Sequence, residues 1–303
     1  MMVDANDTAL LQAVRQNQKF VSNLWEDKHN IRYCFGSSLT NVAQQAMVEA
    51  IQHFKNNIPC IGFKQVAVGN DTTKKCAEEP AIYIGSFSSG CFAHVGQPYK
   101  ISSNPDAYTD SQLNLGNGCE TMGVAAHELG HNLGMLHEQS RTDHGQYVKI
   151  LWDNIREDKR HNYDTSEDGD RTMPYDMLSL MHYSDTAFGI VDADGTKLKT
   201  MEAVNSPNGS TVVMGNRMGL THQDARQVGS MYGCLEEIDH FKLCTPDPEG
   251  CTMEDCGCHQ EASALDEIIK TTDAQGCNRC LKMCPMHPYG TSGACGCPEG
   301  LEQ

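Results

Sequence analysis

Residues 127–138 read HELGHNLGMLHE, and they set the frame for the rest of the chain. His127 and His131 stand four apart, so a helix carries both imidazoles on one face, one turn apart. Glu128 follows His127 and projects beside the same spot. Gly134 takes a left-handed conformation without a Cβ penalty, so it ends the helix and turns the chain back. His137 then approaches from a second element. Three imidazoles from two elements fill three corners of a tetrahedron and leave the fourth open to water. That is the layout of a catalytic zinc site, not of a closed structural one. Neutral imidazole is a good zinc ligand, and zinc brings the pKa of its water down to about 7. A carboxylate at Glu128 is suited to take that water's proton. The competing reading is a surface helix with incidental histidines. Five fixed positions in the run His127, Glu128, His131, Gly134 and His137 speak against it.

The pattern HExxHxxGxxH followed by a methionine turn is the metzincin signature, and residues 179–183 read SLMHY. The wider match, HELGHNLGMLHEQSRTD together with SLMHY, resembles the astacin family of zinc endopeptidases. The resemblance implies an α+β fold, a two-lobed zinc peptidase domain. Its upper half carries a mixed, twisted sheet with two packed helices, and its lower half is mostly irregular with a late helix. It implies one catalytic Zn(2+) on His127, His131 and His137, with Met181 as a hydrophobic floor beneath them and Glu128 as general base. Tyr183 becomes the tyrosine that ligates zinc at rest and swings away to stabilise the oxyanion. Glu138 becomes the glutamate that contacts the buried N-terminus of the matured enzyme. Arg141 and Asp143 match positions that brace the site. His144 and Gly145 depart from the family's pair there, and Met177 replaces an aromatic. The family's disulfides fall on Cys60 with Cys234 and on Cys91 with Cys119. Cys34 and Cys76 match no common family position and are expected to pair with each other. Protein or peptide substrates follow from the same resemblance.

At 303 residues the chain exceeds one ordinary domain. Residues 17–235 are the expected catalytic domain, preceded by a segment, 1–16, that reads as a candidate propeptide remnant. Cleavage near Arg15 would create an N-terminus able to approach Glu138. Asp4 and Asp7 are available as zinc-blocking acids, but their surroundings do not match the family's blocking motif and neither is assigned. The formal charge of −17 argues against nucleic acid or an anionic membrane surface as partner. Fifteen cysteines suggest an oxidising, secretory compartment. The opening MMVDANDTALLQAVRQ has neither the basic start nor the long apolar run of a signal peptide, and no stretch approaches a transmembrane span. A secreted protein is therefore expected from cysteine usage and resemblance alone. Sequons at Asn6, Asn70 and Asn208 are compatible with that.

Along the chain, β-branched and aromatic content predicts strands at 31–35, 60–68 and 81–87. The family resemblance implies that the last of these is the cleft's upper rim, pairing with an extended substrate; the alternative is an edge strand covered by a loop. A helix over 40–56, capped by Ser38 or Thr40, places Val42, Ala46, Ala50, Ile51 and Phe54 inward. Residues 90–96 read as a loop with His94 on the rim and not as a fourth ligand. Residues 97–118, rich in Pro, Asn, Ser and Gly, also read as loop. The zinc helix is expected over 121–133 with Met122, Ala125, Leu129 and Leu133 inward. A last helix is expected in 220–234 with Leu220, Ala225, Val228 and Tyr232 inward.

Residues 236–303 form an acidic, Cys-rich tail, with thirteen Asp or Glu against four Lys or Arg and nine of the cysteines. So few large apolar residues cannot build a core unaided, which predicts disulfide staples. Zinc held by Cys277 and Cys280 with His259 or His287 is the rival. Connectivity does not follow from spacing, nine cysteines leave one without an internal mate, and the tail's partner is unknown. Two other readings of the whole chain stay open: a catalytically dead binding protein, and a hydrolase of something other than peptides.

Overall fold

Ile31, Tyr33 and Cys34 are buried in the first strand, β1 (Ile31–Phe35), where Ile31 and Tyr33 meet the main core and Cys34 a smaller cluster with Val66, Cys76, Ala81 and Tyr83. The computed structural model describes residues 24–98, 100–101, 104–108, 111–166, 173–204, 214–239, 269–272 and 278–281. The candidate propeptide, Asp4, Asp7, Asn6, Asn208, and the tail's cysteine and zinc alternatives at His259, Cys277 and His287 lie outside those residues.

Helix α1 (Asn41–Asn57) starts where Thr40 Oγ1 accepts the Ala43 N–H at 3.2 Å. It ends where the Ile58 N–H bonds back to Phe54, just before Pro59. Its buried row is Ala43, Ala46, Met47, Ala50, Ile51 and Phe54. Val42, expected inside, is 64% exposed. The i, i+3, i+4, i+7 row starts at Ala43, and Val42 sits just outside it.

The chain then forms β2 (Phe63–Gln65), a hairpin of β3 (Val68–Asn70) and β4 (Lys75–Cys76), and β5 (Ile82–Gly85). It continues through β6 (Cys91–Ala93), the paired β7 (Lys100–Ile101) and β8 (Asn104–Tyr108), and β9 (Gln112–Leu115). The main sheet runs β2-β1-β5-β9-β6, parallel except for the antiparallel pair β6 and β9. Two expectations are corrected here. The 81–87 stretch is an interior strand, buried at every residue of β5 and paired on both sides, so it cannot be the rim. The edges are β2 and β6, and β6 lies in the segment read as loop. Residues 97–118 hold three strands, and β9 lies inside the sheet with Leu113 and Leu115 fully buried. Asn114 between them is also fully buried. Its amide accepts from Phe87 and Ser88 N–H and donates to Ser88 and Gly90 carbonyls, so a turn-forming residue type braces a strand to a loop.

Helix α2 (Met122–Asn132) follows β9 directly and packs on α1. Leu129 and Leu133 are fully buried in the same core, each worth roughly 1.5–3 kcal/mol. Beyond it the chain is mostly short 3-10 turns, with β10 (Val148–Ile150) paired to β11 (Met201–Ala203). Helix α3 (His222–Met231) opens on a reciprocal cap between Thr221 and Asp224, and α4 (Leu235–Asp239) closes the domain. A separate antiparallel pair, β12 (Ile269–Thr272) and β13 (Asn278–Leu281), falls within the tail. Three disulfides join Cys34 to Cys76, Cys60 to Cys234 and Cys91 to Cys119, with Cα separations of 5.7, 6.3 and 5.8 Å. The second ties the start of the sheet to the end of α3, and the third ties edge strand β6 to the foot of the zinc helix.

His53 joins α1 to the loop before α3. Its Nε2 accepts the Leu220 N–H at 2.8 Å, and burial lowers its pKa from 6.5 to about 4. The folded ring prefers to be neutral, so below pH 6.5 the unfolded chain binds the extra proton. Stability is therefore lost as pH falls from 6.5 towards 4, by up to about 3 kcal/mol. Urea unfolding of wild type and His53→Gln should show the wild type losing stability more steeply across that window. Parallel losses would contradict this.

Candidate metal centre and cleft

Helix α2 presents His127 and His131 one turn apart because Thr121 caps its start, accepting the Val124 N–H, and fixes its phase. Gly134, at φ +99°, turns the chain immediately after the helix. A Cβ there would press on Leu24 and Met231, so both the backbone angle and the packing call for glycine. The turn brings His137 back over the helix. Its Nε2 lies 3.3 Å from that of His127 and 3.2 Å from that of His131.

The ring orientations are set from behind. His127 Nδ1 lies 2.8 Å from the Leu180 carbonyl, and His131 Nδ1 lies 2.8 Å from the Met135 carbonyl. A carbonyl only accepts, so both Nδ1 atoms carry the proton and both Nε2 atoms present bare lone pairs. Three imidazoles then converge, with their ligand atoms all within 4.8 Å of one another. Burial, reinforced by the neighbouring histidines, holds His127 and His137 well below the ordinary histidine range, and burial brings His131 to about 4. The bare lone pairs of His127 and His131 meet the His137 Nε2 at one point, an arrangement that a cation among them would stabilise. The donor set therefore fits a zinc ion.

Glu128 is 5% exposed, and its Oε2 has no hydrogen-bond partner among the described residues. Burial raises its pKa to about 7, against the opposing pull of the Arg217 guanidinium. Met181 is buried beneath α2 at Gly130, where a Cβ would stand 2.9 Å from the Met181 sulfur. Glycine at 130 is what lets the methionine floor approach the helix. Tyr183 is buried with its ring 4.4 Å from that of His137, and burial raises its phenol pKa further above the usual value. Glu138 Oε1 accepts from Arg141 Nη1 at 3.0 Å and from the Asp176 N–H at 2.9 Å. Burial raises it to about 7 while Arg141 pulls it down. Arg141 also bonds both oxygens of Asp143. A cavity beside Glu138 is lined by Gly134, His137, Asp176, Gln223 and Met231. Beside Tyr183 opens a larger cleft of about 720 Å³, with Arg156, Phe188, Lys197 and Arg217 among its walls. His94 stays outside the cluster, its Nδ1 accepting the Gln112 N–H and its carbonyl accepting from Asn132.

Several contributors were not singled out by sequence. Arg217 Nη1 donates to the carbonyls of Leu180, His182 and Asn216, and so shares the Leu180 oxygen with His127. Asp224 receives the Ser179 hydroxyl and the Leu180 N–H, fastening α3 to the methionine turn. Gln139 Oε1 accepts the Tyr183 N–H. Only Asp224 carried a local signal, the Thr221-x-x-Asp224 capping pattern.

Residues 17–233 match the family model described as Astacin, a peptidase family. Meprin A subunit beta of Homo sapiens is 30% identical over 221 residues, which is 72% of this chain and 28% of that protein. Zinc metalloproteinase dpy-31 of Caenorhabditis elegans is 31% identical over 224 residues, 72% of this chain and 34% of that protein. The chain thus spans about a third or less of the length of these relatives. Among solved structures it is similar to high choriolytic enzyme 1, a hatching enzyme zinc-protease from Oryzias latipes. That match has a TM-score of 0.56 at 26% identity and covers 70% of this chain and 93% of that one.

Proposed function

The chain belongs to the astacin family of peptidases, and from that premise we propose that it is a zinc-dependent endopeptidase hydrolysing internal bonds of protein or peptide substrates. The observation that carries this reading is the convergence of three imidazole Nε2 atoms beside a buried carboxylate whose Oε2 has no partner among the described residues. His127, His131 and His137 hold the zinc ion. When bound, the ion supplies Lewis acidity that makes water nucleophilic near neutral pH.

The remaining work falls to the chain's own groups. Glu128 takes a proton from the attacking water at its carboxylate and returns it to the departing amine nitrogen. The Tyr183 hydroxyl donates to the developing oxyanion of the scissile carbonyl. Edge strand β6 is paired only on its β9 side among the described residues, so its other edge is available to an extended substrate backbone. Phe92 on that strand is exposed.

The same premise supports maturation by removal of an N-terminal segment. The described chain starts against the zinc helix, with Trp25 Nε1 donating to the Asn132 carbonyl at 2.8 Å and Leu24 lying beside Gly134. A new N-terminus near residue 16 would reach the cavity beside Glu138, where carboxylates from Asp176 and Asp224 add to the negative field. Cysteine usage supports a secreted protein, three disulfides being suited to an oxidising compartment. No helix among the described residues is long and apolar enough to cross a membrane.

The purified, processed chain should cut a generic protein substrate at internal bonds, stop in the presence of a zinc chelator, and resume when zinc is returned. Cleavage that persists in chelator would exclude the zinc mechanism. A processed, zinc-loaded chain that binds proteins without cutting them would favour the binding-protein reading.

A further inference from the structure

The backbone of Tyr183 is gripped at both ends. Its N–H donates to Gln139 Oε1 at 3.1 Å, and its carbonyl oxygen lies 2.7 Å from His182 Nδ1. That carbonyl only accepts, so His182 Nδ1 is the protonated nitrogen and His182 Nε2 is bare. Tyr175 Oη lies 2.7 Å from that Nε2, so Tyr175 is the donor. Both hydrogen bonds therefore have a fixed direction, from the Tyr175 hydroxyl to His182 and from His182 to the Tyr183 carbonyl. His182 is fully buried, leaving no solvent to replace either partner. Tyr175 is itself held, stacked on Tyr147 at 4.5 Å with 4° between planes and covered by the Arg141 guanidinium at 5.4 Å. Arg141 in turn is bonded to Glu138 and Asp143. Among the described residues, none of these side chains is hydrogen-bonded to the three imidazoles. Tyr183 carries the end of this chain of bonds towards the metal centre, its ring standing 4.4 Å from that of His137.

We propose that Tyr175 and His182 form a positioning relay that sets the main chain of Tyr183, and so aims its hydroxyl at the reacting carbonyl. The proposal rests on the reading of Tyr183 as the oxyanion donor. A donor that acts in the transition state must be aimed before the reaction, because a misplaced one binds substrate equally well and turns it over more slowly. The relay thus predicts a loss in kcat without a matching change in KM.

Five proteins decide the matter: wild type, Tyr175→Phe, His182→Leu, Tyr183→Phe and the Tyr175→Phe/Tyr183→Phe double variant, each assayed for kcat, KM, bound zinc and thermal unfolding. Tyr175→Phe keeps the ring and its stack and removes only the proton donor. Its kcat should fall about 10-fold with zinc content unchanged, while Tyr183→Phe should fall about 100-fold. The double variant should be no slower than Tyr183→Phe alone, because the relay has nothing left to aim. His182→Leu breaks the second link and should repeat this pattern, which keeps the test open if Tyr175→Phe folds poorly. The relay is overturned if Tyr183→Phe is slow while Tyr175→Phe and His182→Leu keep full kcat. It is equally overturned if the single losses multiply in the double variant. A Tyr183→Phe variant with full kcat would instead remove the oxyanion role of Tyr183, and the relay along with it.

Discussion

Glu128→Gln is expected to retain its zinc and lose turnover, with kcat lower by about 10²- to 10⁴-fold. The amide has the shape of the carboxylate and leaves the packing of α2 intact. It cannot accept a proton from water, and that is the single property removed. Glu128 is not among the converging ligand atoms, so metal content should not change. Its Oε2 has no hydrogen bond among the described residues, so the substitution strands no donor of the protein itself. KM should move little, since the loss arises in the transition state. Metal analysis and steady-state kinetics on the same preparation check this. A zinc-loaded Glu128→Gln enzyme within a few fold of wild type would require another base.

The metal site was legible because its geometry is local. A four-residue spacing and a glycine three residues later encode two ligands on one helix face and a third beyond a turn, and His127, His131 and His137 meet accordingly. What surrounds the site was less legible because distant pairing decides it. The resemblance puts the rim at 81–87, yet β5 is enclosed by β1 and β9, and the sheet edge on that side falls to Cys91–Ala93. Asn114 reads as a turn residue until its four bonds to residues 87–90 are seen. Val42 counts as apolar in any periodicity, but the cap at Thr40 sets the helix phase and leaves it in solvent. Gly130 gains most of its meaning from the Met181 sulfur beneath it, fifty-one residues onward. Arg217 likewise serves carbonyls 35 and 37 residues before it. No spacing rule reaches that far.

His137→Ala is expected to remove zinc and activity together. His127 and His131 share one helix turn and supply only two nitrogens, and the third ligand of an open tetrahedral site comes from beyond Gly134. The fold should survive, because α2 is anchored in the core by Leu129 and Leu133 and not by His137. The site is therefore tested most directly by counting zinc in the dialysed, purified chain, beside His137→Ala prepared identically. About one ion per wild-type chain is predicted, with little left in the variant. A wild-type chain without stoichiometric zinc, or a His137→Ala chain that holds as much as wild type, would contradict a site built on three imidazoles.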